Sequence, residues 1–375
     1  MGSGHFLVAA TVHLAEKIAE HPTTKPQAGD KRGASQDKAE IAYWRRRVVE
    51  ACIYGVDLNP LAVELAKLSL WLTTISSDQP LNFLDHHLRH GNSLIGARLA
   101  QLGSLPQKKD LGDATQLRFG FGPDFMHAVA GTIRHIQKIE AEASGDMEAV
   151  KDKEKRWRNR ILPRLEPYRE VADLWTDTFF GHPLTEDEYL GKVRDILPQV
   201  VVQADTDSTE RGEAAARYGK RPRRSYFPWE LEFPAVFFDG DGTPKTNPGF
   251  DAVVSNPPYV SAIELNRALS EYEKPYWSGM FESACGAYDL YIIFLERCLT
   301  LTAPGKLCAM ITPNKFMSIP YASGFREYFC RSAKLKRLLD LSCRRVFEEP
   351  SVYPVITVME HSTPSTISTA WIPTR

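Results

Sequence analysis

The chain alternates between short apolar runs that end in polar turns and longer stretches with helical spacing. After an opening segment of helical pattern, VVEACIYGVDLNP predicts a short buried strand, and LAVELAKLSLWLTT predicts a helix. HHLRHGNSLIGA predicts a second short strand and a turn. The polar stretch PTTKPQAGDKRGASQDKAE predicts a mobile loop before the first strand. Strands that alternate with helices are typical of a parallel, doubly wound sheet.

From about Arg98 to Pro234 the pattern is charged and favours helix, with no convincing strand, so we predict a helical insertion. The alternation resumes at FDAVVSNPPY and continues through the helix DLYIIFLERCLTLT and the strand GKLCAMITPN. A helix, YASGFREYFCRSA, and two strands, LKRLLDLS and SVYPVITVMEH, follow. We therefore predict four regions along the chain: a cofactor-binding half at 1–97, the helical insertion at 98–235, a catalytic half at 236–362 and the start of a following region at 363–375.

Composition changes this picture little. The chain has 375 residues, 43% of them hydrophobic and 25% charged, and a net charge of −1, so any nucleic-acid surface must be local. The six cysteines form no C-x-x-C pair, which predicts reduced, packed thiols and neither a zinc site nor a disulfide framework. We expect no metal. No apolar run reaches membrane length and no signal peptide opens the chain, so we expect a cytoplasmic protein without a membrane partner.

The stretch FDAVVSNPPYV carries the clearest chemistry. Two prolines cannot continue a central strand, so Asn256, Pro257, Pro258 and Tyr259 form a rigid turn at a strand end, where ligands bind in open α/β sheets. The Asn256 side-chain oxygen and the Pro257 carbonyl are two fixed acceptors that suit a planar –NH2 group, and Tyr259 offers a face for stacking. Two acceptors would localise the nitrogen lone pair for attack on an electrophilic methyl group. The alternative is a rigid turn with an exposed tyrosine.

Three other segments suit a nucleotide-like cofactor. GSGHF is a glycine loop that opens a helix, which lets a ligand approach backbone amides closely. Asp57 follows a predicted strand and could accept hydrogen bonds from ribose hydroxyls. It could instead cap the next helix, although Asn59, directly before a proline, fits a cap better. Asn92 stands at another strand end and is either an adenine-ring contact or part of a simple turn.

Seven ordered blocks resemble the amino-methylating DNA adenine methyltransferases, in the branch found in type IIG restriction–modification and related phage-defence enzymes. They are GSGHFLVAA, GVDLNPLAVELAKLSLWL, GNSLIG, FPWELEFPAVF, GFDAVVSNPPYV, YDLYIIFLERCLTLTAPGKLCAMITPNKF and RRVFEEPSVYPVITV. The order of glycine loop, acidic strand end and Asn-Pro-Pro-Tyr matches the γ arrangement of that family. The resemblance implies a Rossmann-like sheet, S-adenosylmethionine as cofactor, double-stranded DNA as substrate and base flipping to deliver an adenine.

The resemblance also implies roles for single residues. The methionine-binding loop would include Gly2, Ser3 and Gly4, the ribose ligand would be Asp57, and Asn92 would lie beside the cofactor adenine. The catalytic loop would be Asn256, Pro257, Pro258 and Tyr259. Substrate contacts would be Tyr259, Asp289, Tyr291 and Phe347, of which Phe347 could equally be a buried core residue.

Two departures from the family pattern shape the expectations. The chain starts inside the glycine loop, so we expect a fragment whose first strand is missing, possessing neither recognition domain nor nuclease; a separate chain or segment would supply them. The alternatives are a protein glutamine methyltransferase, which uses the same Asn-Pro-Pro-Tyr loop, and a catalytically silent DNA-binding fragment.

The basic stretch RYGKRPRRSYFPW is either a phosphate contact or a solvated linker.

Overall fold

The structure is a computed structural model that describes residues 1–21, 23–24, 34–74, 83–103, 105, 123–142, 146–197, 225–270, 273–342 and 353–362. Side chains are described in these ranges except at 34–39 and 123. Strands and helices alternate in the first and last parts of the described chain, and the part between them is helical. The predicted α/β class is confirmed.

The amino-terminal part contains a two-stranded parallel sheet with helices packed beside it. Its helices are α1 (His5–Glu20), α2 (Ala34–Ala51) and α3 (Pro60–Thr74), and its strands are β1 (Gly55–Asp57) and β2 (Leu88–His90). The three helices pack on one another, and α3 also contacts both strands. Asp57 is therefore placed at the carboxyl end of a strand by a small core that α1 shares with α2 and α3.

Helices make up the described chain between β2 and the second sheet. They are α4 (Pro123–Ala141), α5 (Met147–Arg156), α6 (Leu162–Asp177) and α7 (Glu186–Ile196), followed by the short α8 (Trp229–Glu232) and α9 (Pro234–Phe237). A π-helical turn at Trp157–Ile161 joins α5 to α6. Asp146 and Thr185 cap α5 and α7 by accepting backbone N–H bonds, which agrees with their preference for such positions.

The second sheet has four strands in the order β3, β4, β6, β5. The strands are β3 (Phe250–Ser255), β4 (Thr302–Pro313), β5 (Ala333–Asp340) and β6 (Pro354–His361). Strand β3 is parallel to β4, whereas β6 is antiparallel to both β4 and β5. The helices of this part are α10 (Ala262–Ala268), α11 (Lys274–Met280), α12 (Leu290–Leu301) and α13 (Ser323–Ser332).

Helix α12 is the central helix of this part. Nine of its residues are buried, and it packs against β3, β4 and β6. The largest apolar core of the described chain joins residues of α4, α6 and α7 to residues of α11 and α12. The predicted domain boundaries at 97/98 and 235/236 thus fall between residues that share one core, and the division into domains stays a prediction.

Side chains join the two sheets. Within the described residues, β1 pairs with β2 alone and β3 pairs with β4 alone. The rings of Tyr54 and Phe250 lie 5.4 Å apart at 65°, and both contact the aromatic cluster of Phe227 and Phe233. Aromatic side chains therefore link the end of the amino-terminal part to the first strand of the second sheet.

Three local expectations were wrong. The strand expected from Val48 onward begins only at Gly55, because Val48 and Val49 lie on the buried face of α2. The end of the expected loop, from Ala34, belongs to the same helix. The cysteines were expected to be packed, but Cys52, Cys285 and Cys330 are exposed, while Cys298 and Cys308 are buried.

None of the helices in the described part of the chain is both long and apolar enough to cross a membrane.

Candidate active site

The loop between β3 and α10 carries the Asn-Pro-Pro-Tyr sequence and is held at both ends. At its start, Ser255 pairs with Met310 of the neighbouring strand β4. At its end, Ser261 caps α10 by accepting the N–H of Glu264, and the Glu264 carboxylate accepts from the Ser261 N–H at 3.0 Å. This capping box and the two prolines leave the loop few conformations.

Asn256 is exposed at the tip of β3, whereas Pro257 is buried beneath it. The Tyr259 hydroxyl lies 3.2 Å from the Ile311 carbonyl and 3.4 Å from Asn256 Oδ1, so it donates mainly to the carbonyl. Burial raises the pKa of Tyr259, and its half-buried ring packs against the core around α12. The amide is therefore available to a ligand, and the tyrosine is fixed beside it.

Asp289, directly before α12, holds the next part of the site. Its Oδ1 accepts the Ala262 N–H at 2.7 Å, and its Oδ2 accepts the Tyr321 hydroxyl at 2.7 Å. Both oxygens thus fix protein groups, which makes Asp289 a residue that positions the start of α10. Tyr291 is fully buried in the core, so packing beneath the loop is the contribution that the structure shows for it.

The glycine loop and Asp57 come together at the end of β1. Gly2 donates its N–H to Asp57 Oδ2 at 2.8 Å, and the Met1 amino group lies 3.0 Å from the same oxygen. Gly2 and Gly4 have φ angles of 57° and 86°, and a Cβ at Gly4 would lie 3.1 Å from Ala66 of α3. Glycine is therefore required at Gly4 for both conformation and space.

The Asp57 carboxylate remains charged near neutral pH. Burial alone would raise its pKa, but N–H groups of Asn59 and Gly2 and the Met1 amino group together lower it below its usual value. Asn59 Oδ1 accepts the Leu61 N–H at 3.0 Å and so caps α3, as predicted. Asp57 is thus not needed as the cap of that helix, and it remains a charged acceptor at a strand end.

Asn92 lies in a turn after β2 that other parts of the chain hold in place. Its Oδ1 accepts the Leu94 N–H at 3.0 Å, which is the simple turn that was the alternative to an adenine contact. Trp229 Nε1 donates to the Ser93 carbonyl at 2.9 Å, and the Tyr276 hydroxyl accepts the Gly96 N–H at 2.8 Å. The turn therefore connects the cofactor side of the molecule to α8 and α11.

The described contacts bring the predicted residues together in two groups. Gly2 meets Asp57, with Ser3 and Gly4 in the same loop, and Asn256 meets Tyr259 in the loop that Asp289 supports. Asn92 links to the catalytic half only through neighbours in its turn. Phe347 and the basic residues 217–224 lie outside the described residues. The functional assignment of every one of these residues stays a prediction.

Tyr321 is the supporting residue that the sequence did not reveal. It lies 32 positions after Asp289 and has no motif around it that predicts the contact. Burial and the neighbouring Asp289 carboxylate raise its pKa to about 12, so the hydroxyl stays a donor at neutral pH. Its only sequence signal was the aromatic position shortly after the strand of GKLCAMITPN.

Comparison with known proteins establishes the family. The Eco57I restriction-modification methylase family matches residues 51–347, which is most of the chain. The chain belongs to this family. Family membership implies S-adenosylmethionine as the cofactor of this methylase, which confirms the prediction.

Two curated relatives illustrate the similarity. A candidate type II restriction enzyme and methyltransferase, RM.MjaORFECS2P of Methanocaldococcus jannaschii, is 24% identical over 91% of this chain and 28% of its own length. Type II methyltransferase M.XhoI of Xanthomonas vasicola is 32% identical over 31% of this chain and 20% of its own length. The chain thus spans less than a third of the length of these relatives.

One solved structure is described as a candidate class I S-adenosylmethionine-dependent methyltransferase from Listeria monocytogenes. It covers 65% of this chain and 90% of its own at 10% identity, with a TM-score of 0.26. The strand order and the family membership define the fold class.

The residues at the end of β1 fit the cofactor. Asp57 supplies a charged acceptor for hydroxyl groups, and the left-handed glycines keep the loop beside it free of side chains. Asp57 Oδ2 accepts the Gly2 N–H at 2.8 Å and Oδ1 accepts the Asn59 N–H at 2.9 Å, so hydroxyl groups of a bound cofactor would share or displace these bonds.

Proposed function

We propose that this chain is the methyltransferase part of a DNA adenine-N6 methyltransferase that acts on double-stranded DNA in a restriction–modification or phage-defence system. One observation carries the proposal. An exposed asparagine amide stands at the carboxyl end of β3, on a loop that prolines, a capping box and Asp289 hold rigid. Restriction-modification methylase family membership makes a nucleic-acid base the natural target.

The chain's own residues would act on the target amine as acceptors. Asn256 Oδ1 and the Pro257 carbonyl would accept hydrogen bonds from the two N6–H groups, which localises the nitrogen lone pair toward the methyl group. As the N–CH3 bond forms and the S–CH3 bond of the donor breaks, the nitrogen would release one of its two protons to solvent. Tyr259 would stack on the flipped base, since its ring is held at half burial beside Asn256. Asp57 would orient the cofactor, which supplies the electrophilic methyl group when bound.

These acceptors would bind any planar amine, so the methylated product must be identified to learn which amine is the substrate. Purified chain would be incubated with S-adenosylmethionine labelled in its methyl group and unmethylated duplex DNA, and digested nucleosides would be separated by mass spectrometry. We expect N6-methyladenine. A label in N4-methylcytosine would keep the loop chemistry but contradict the adenine assignment.

The two alternatives have their own outcomes. Transfer of label to a protein glutamine amide and none to DNA would favour the protein methyltransferase. Cofactor-independent DNA binding without any transfer would favour the silent fragment.

A partner chain or segment that supplies a recognition domain and a nuclease is part of the same proposal, and co-expression with such a partner is the second arm of the assay.

A further inference from the structure

His86, His87 and Glu140 form a cluster that includes no residue of the glycine loop or of the Asn-Pro-Pro-Tyr loop; both histidines are buried and Glu140 is partly buried. Candidate ligand atoms of the three residues all lie within 4.8 Å of one another. The two histidines are 3% and 1% exposed and precede β2, whereas Glu140 is on α4, more than fifty positions later. The cluster therefore joins the strand segment of the amino-terminal sheet to the helical segment.

The histidine rings have unmet hydrogen-bonding capacity. Both ring nitrogens of His86 and Nδ1 of His87 are buried and have no hydrogen-bond partner. The fourth nitrogen, His87 Nε2, lies 3.0 Å from Glu140 Oε1. Buried polar atoms are nearly always paired, and an unpaired one costs about 1–3 kcal/mol. One ion can take one nitrogen from each ring, so an ion bound through His87 Nε2 and one His86 nitrogen would satisfy part of this unmet capacity.

We propose that His86, His87 and Glu140 bind one zinc ion, which connects the segment before β2 to helix α4. Two imidazoles and one carboxylate are a donor set that zinc accepts. The separation of His87 Nε2 and Glu140 Oε1 is 3.0 Å. Neighbouring ligand atoms of a tetrahedral ion with bonds of ~2.0 Å lie ~3.3 Å apart, so a small shift would admit the ion.

The surroundings favour a dry, rigid site. The ring of His86 stacks on Phe83 at 5.6 Å with an interplanar angle of 3°, and Trp157 lies on another side at 6.0 Å. Tyr54 lies 3.9 Å from the His87 ring. The His87 carbonyl also accepts the Gly55 N–H at 2.9 Å, so the ligand segment is tied to the start of β1.

Two cationic side chains, Arg89 and Lys153, lie near the cluster. The two cations have anionic or carbonyl partners of their own, since Arg89 pairs with Glu232 and Lys153 donates to the Glu142 carbonyl.

The test uses the full chain, purified without a metal-affinity tag. We expect about one zinc ion per chain by mass spectrometry of metals, and a thermal melting temperature that falls on chelation and recovers when zinc is added. Cobalt substituted for zinc should give visible absorption of a tetrahedral ion with nitrogen and oxygen ligands. Glu140→Gln keeps the side-chain shape and should weaken zinc binding ~10-fold or more.

The control is His13→Gln, which changes an exposed histidine of α1 and should leave zinc content and cobalt absorption unchanged. If Glu140→Gln fails to fold, the zinc content and cobalt absorption of the wild-type chain decide the proposal. Less than ~0.1 zinc per chain after zinc loading, with no cobalt absorption, would overturn the proposal. Cobalt bands from thiolate ligands would also overturn it, because they would assign the ion to an exposed cysteine such as Cys52.

Discussion

The Asn256 side chain contributes little to the stability of the fold. It is exposed, and its one described hydrogen-bond donor is the Tyr259 hydroxyl at 3.4 Å, which lies closer to the Ile311 carbonyl. Removal of its amide should therefore affect stability very little. Any large effect on activity would then report on the reaction itself.

We expect Asn256→Ala to lower methyl transfer by about 10²–10³ while leaving cofactor affinity and melting temperature nearly unchanged, because the lost acceptor serves the transition state. Single-turnover transfer to DNA and calorimetry with S-adenosylmethionine measure the two effects. The matched control is Asn266→Ala, ten positions later on α10 and also exposed. Equal rates for both variants would remove Asn256 from the mechanism.

Asp57 and Asn59 lie two positions apart, and variants of the two test cofactor binding and helix capping separately. Asp57→Ala should weaken S-adenosylmethionine binding by about 1.5–3 kcal/mol, roughly 10- to 100-fold, because a charged acceptor is lost. Asn59→Ala removes the oxygen that accepts the Leu61 N–H and should cost about 1 kcal/mol of unfolding free energy with affinity unchanged. Calorimetry and urea denaturation would compare them.

The assignment of Asp57 to the cofactor fails if both variants bind the cofactor with wild-type affinity. A loss of affinity in Asn59→Ala as large as that in Asp57→Ala would indicate that the turn geometry, rather than the carboxylate, supports binding. In either case the urea midpoints show whether the helix cap was damaged.

At the scale of elements, periodicity predicted the second sheet well. β3, α12, β4, α13, β5 and β6 all occur where apolar runs or helical spacing placed them. Alternation failed at Val48 and Val49, because two β-branched residues resemble a strand locally while tertiary packing buries them on a helix. The end of α2 was decided by contacts with α1 and α3, which the sequence does not display.

In the candidate site, too, the contacts between residues distant in the sequence could not be predicted. The positions of Asn256 and Asp57 at strand ends could be predicted from the apolar residues directly before them. The contacts of Asp289 with Tyr321 and of His87 with Glu140 join residues separated by 32 and 53 positions. A single sequence gives no signal for such pairs unless a motif spans them. Two adjacent histidines therefore do not by themselves predict a metal site.

A buried ion network connects three elements and allows a stability test. Glu232 of α8 accepts from Arg89 of β2, and Arg169 Nε of α6 lies 3.0 Å from Glu232 Oε1. Glu232→Gln would leave two buried guanidinium groups facing a neutral amide. We expect a loss of about 3–5 kcal/mol in the free energy of unfolding, measured by urea denaturation.

The comparison is Arg331→Ala, which breaks an ion pair with Glu282 at 2.6 Å between side chains that are 65% and 60% exposed. Water screens this pair, so its loss should change stability by less than about 1 kcal/mol. If Glu232→Gln is no more harmful than Arg331→Ala, the three elements do not depend on the network, and the apolar core alone holds them together.

At the scale of the whole molecule, helix α3, which packs on the amino-terminal sheet, exposes a stripe of apolar side chains. Leu61, Leu65, Leu68 and Leu72 of α3 recur at helical spacing and are 43–63% exposed. Val254 of β3 is 54% exposed as well. Single exposed leucines are ordinary, but a contiguous stripe favours association between molecules.

We expect the chain to self-associate as its concentration rises, and we expect Leu65→Gln combined with Leu68→Gln to weaken that association by about tenfold or more. Both changes keep the net charge and leave the buried Ala66 and Leu70 in place, so the fold should persist. Sedimentation velocity over a range of concentrations measures the effect, and Met147→Gln, an isolated residue 55% exposed on α5, is the matched control. A parent chain that stays monomeric at every concentration, or a double variant that associates as strongly as the Met147 control, would show that the stripe drives no contact between molecules.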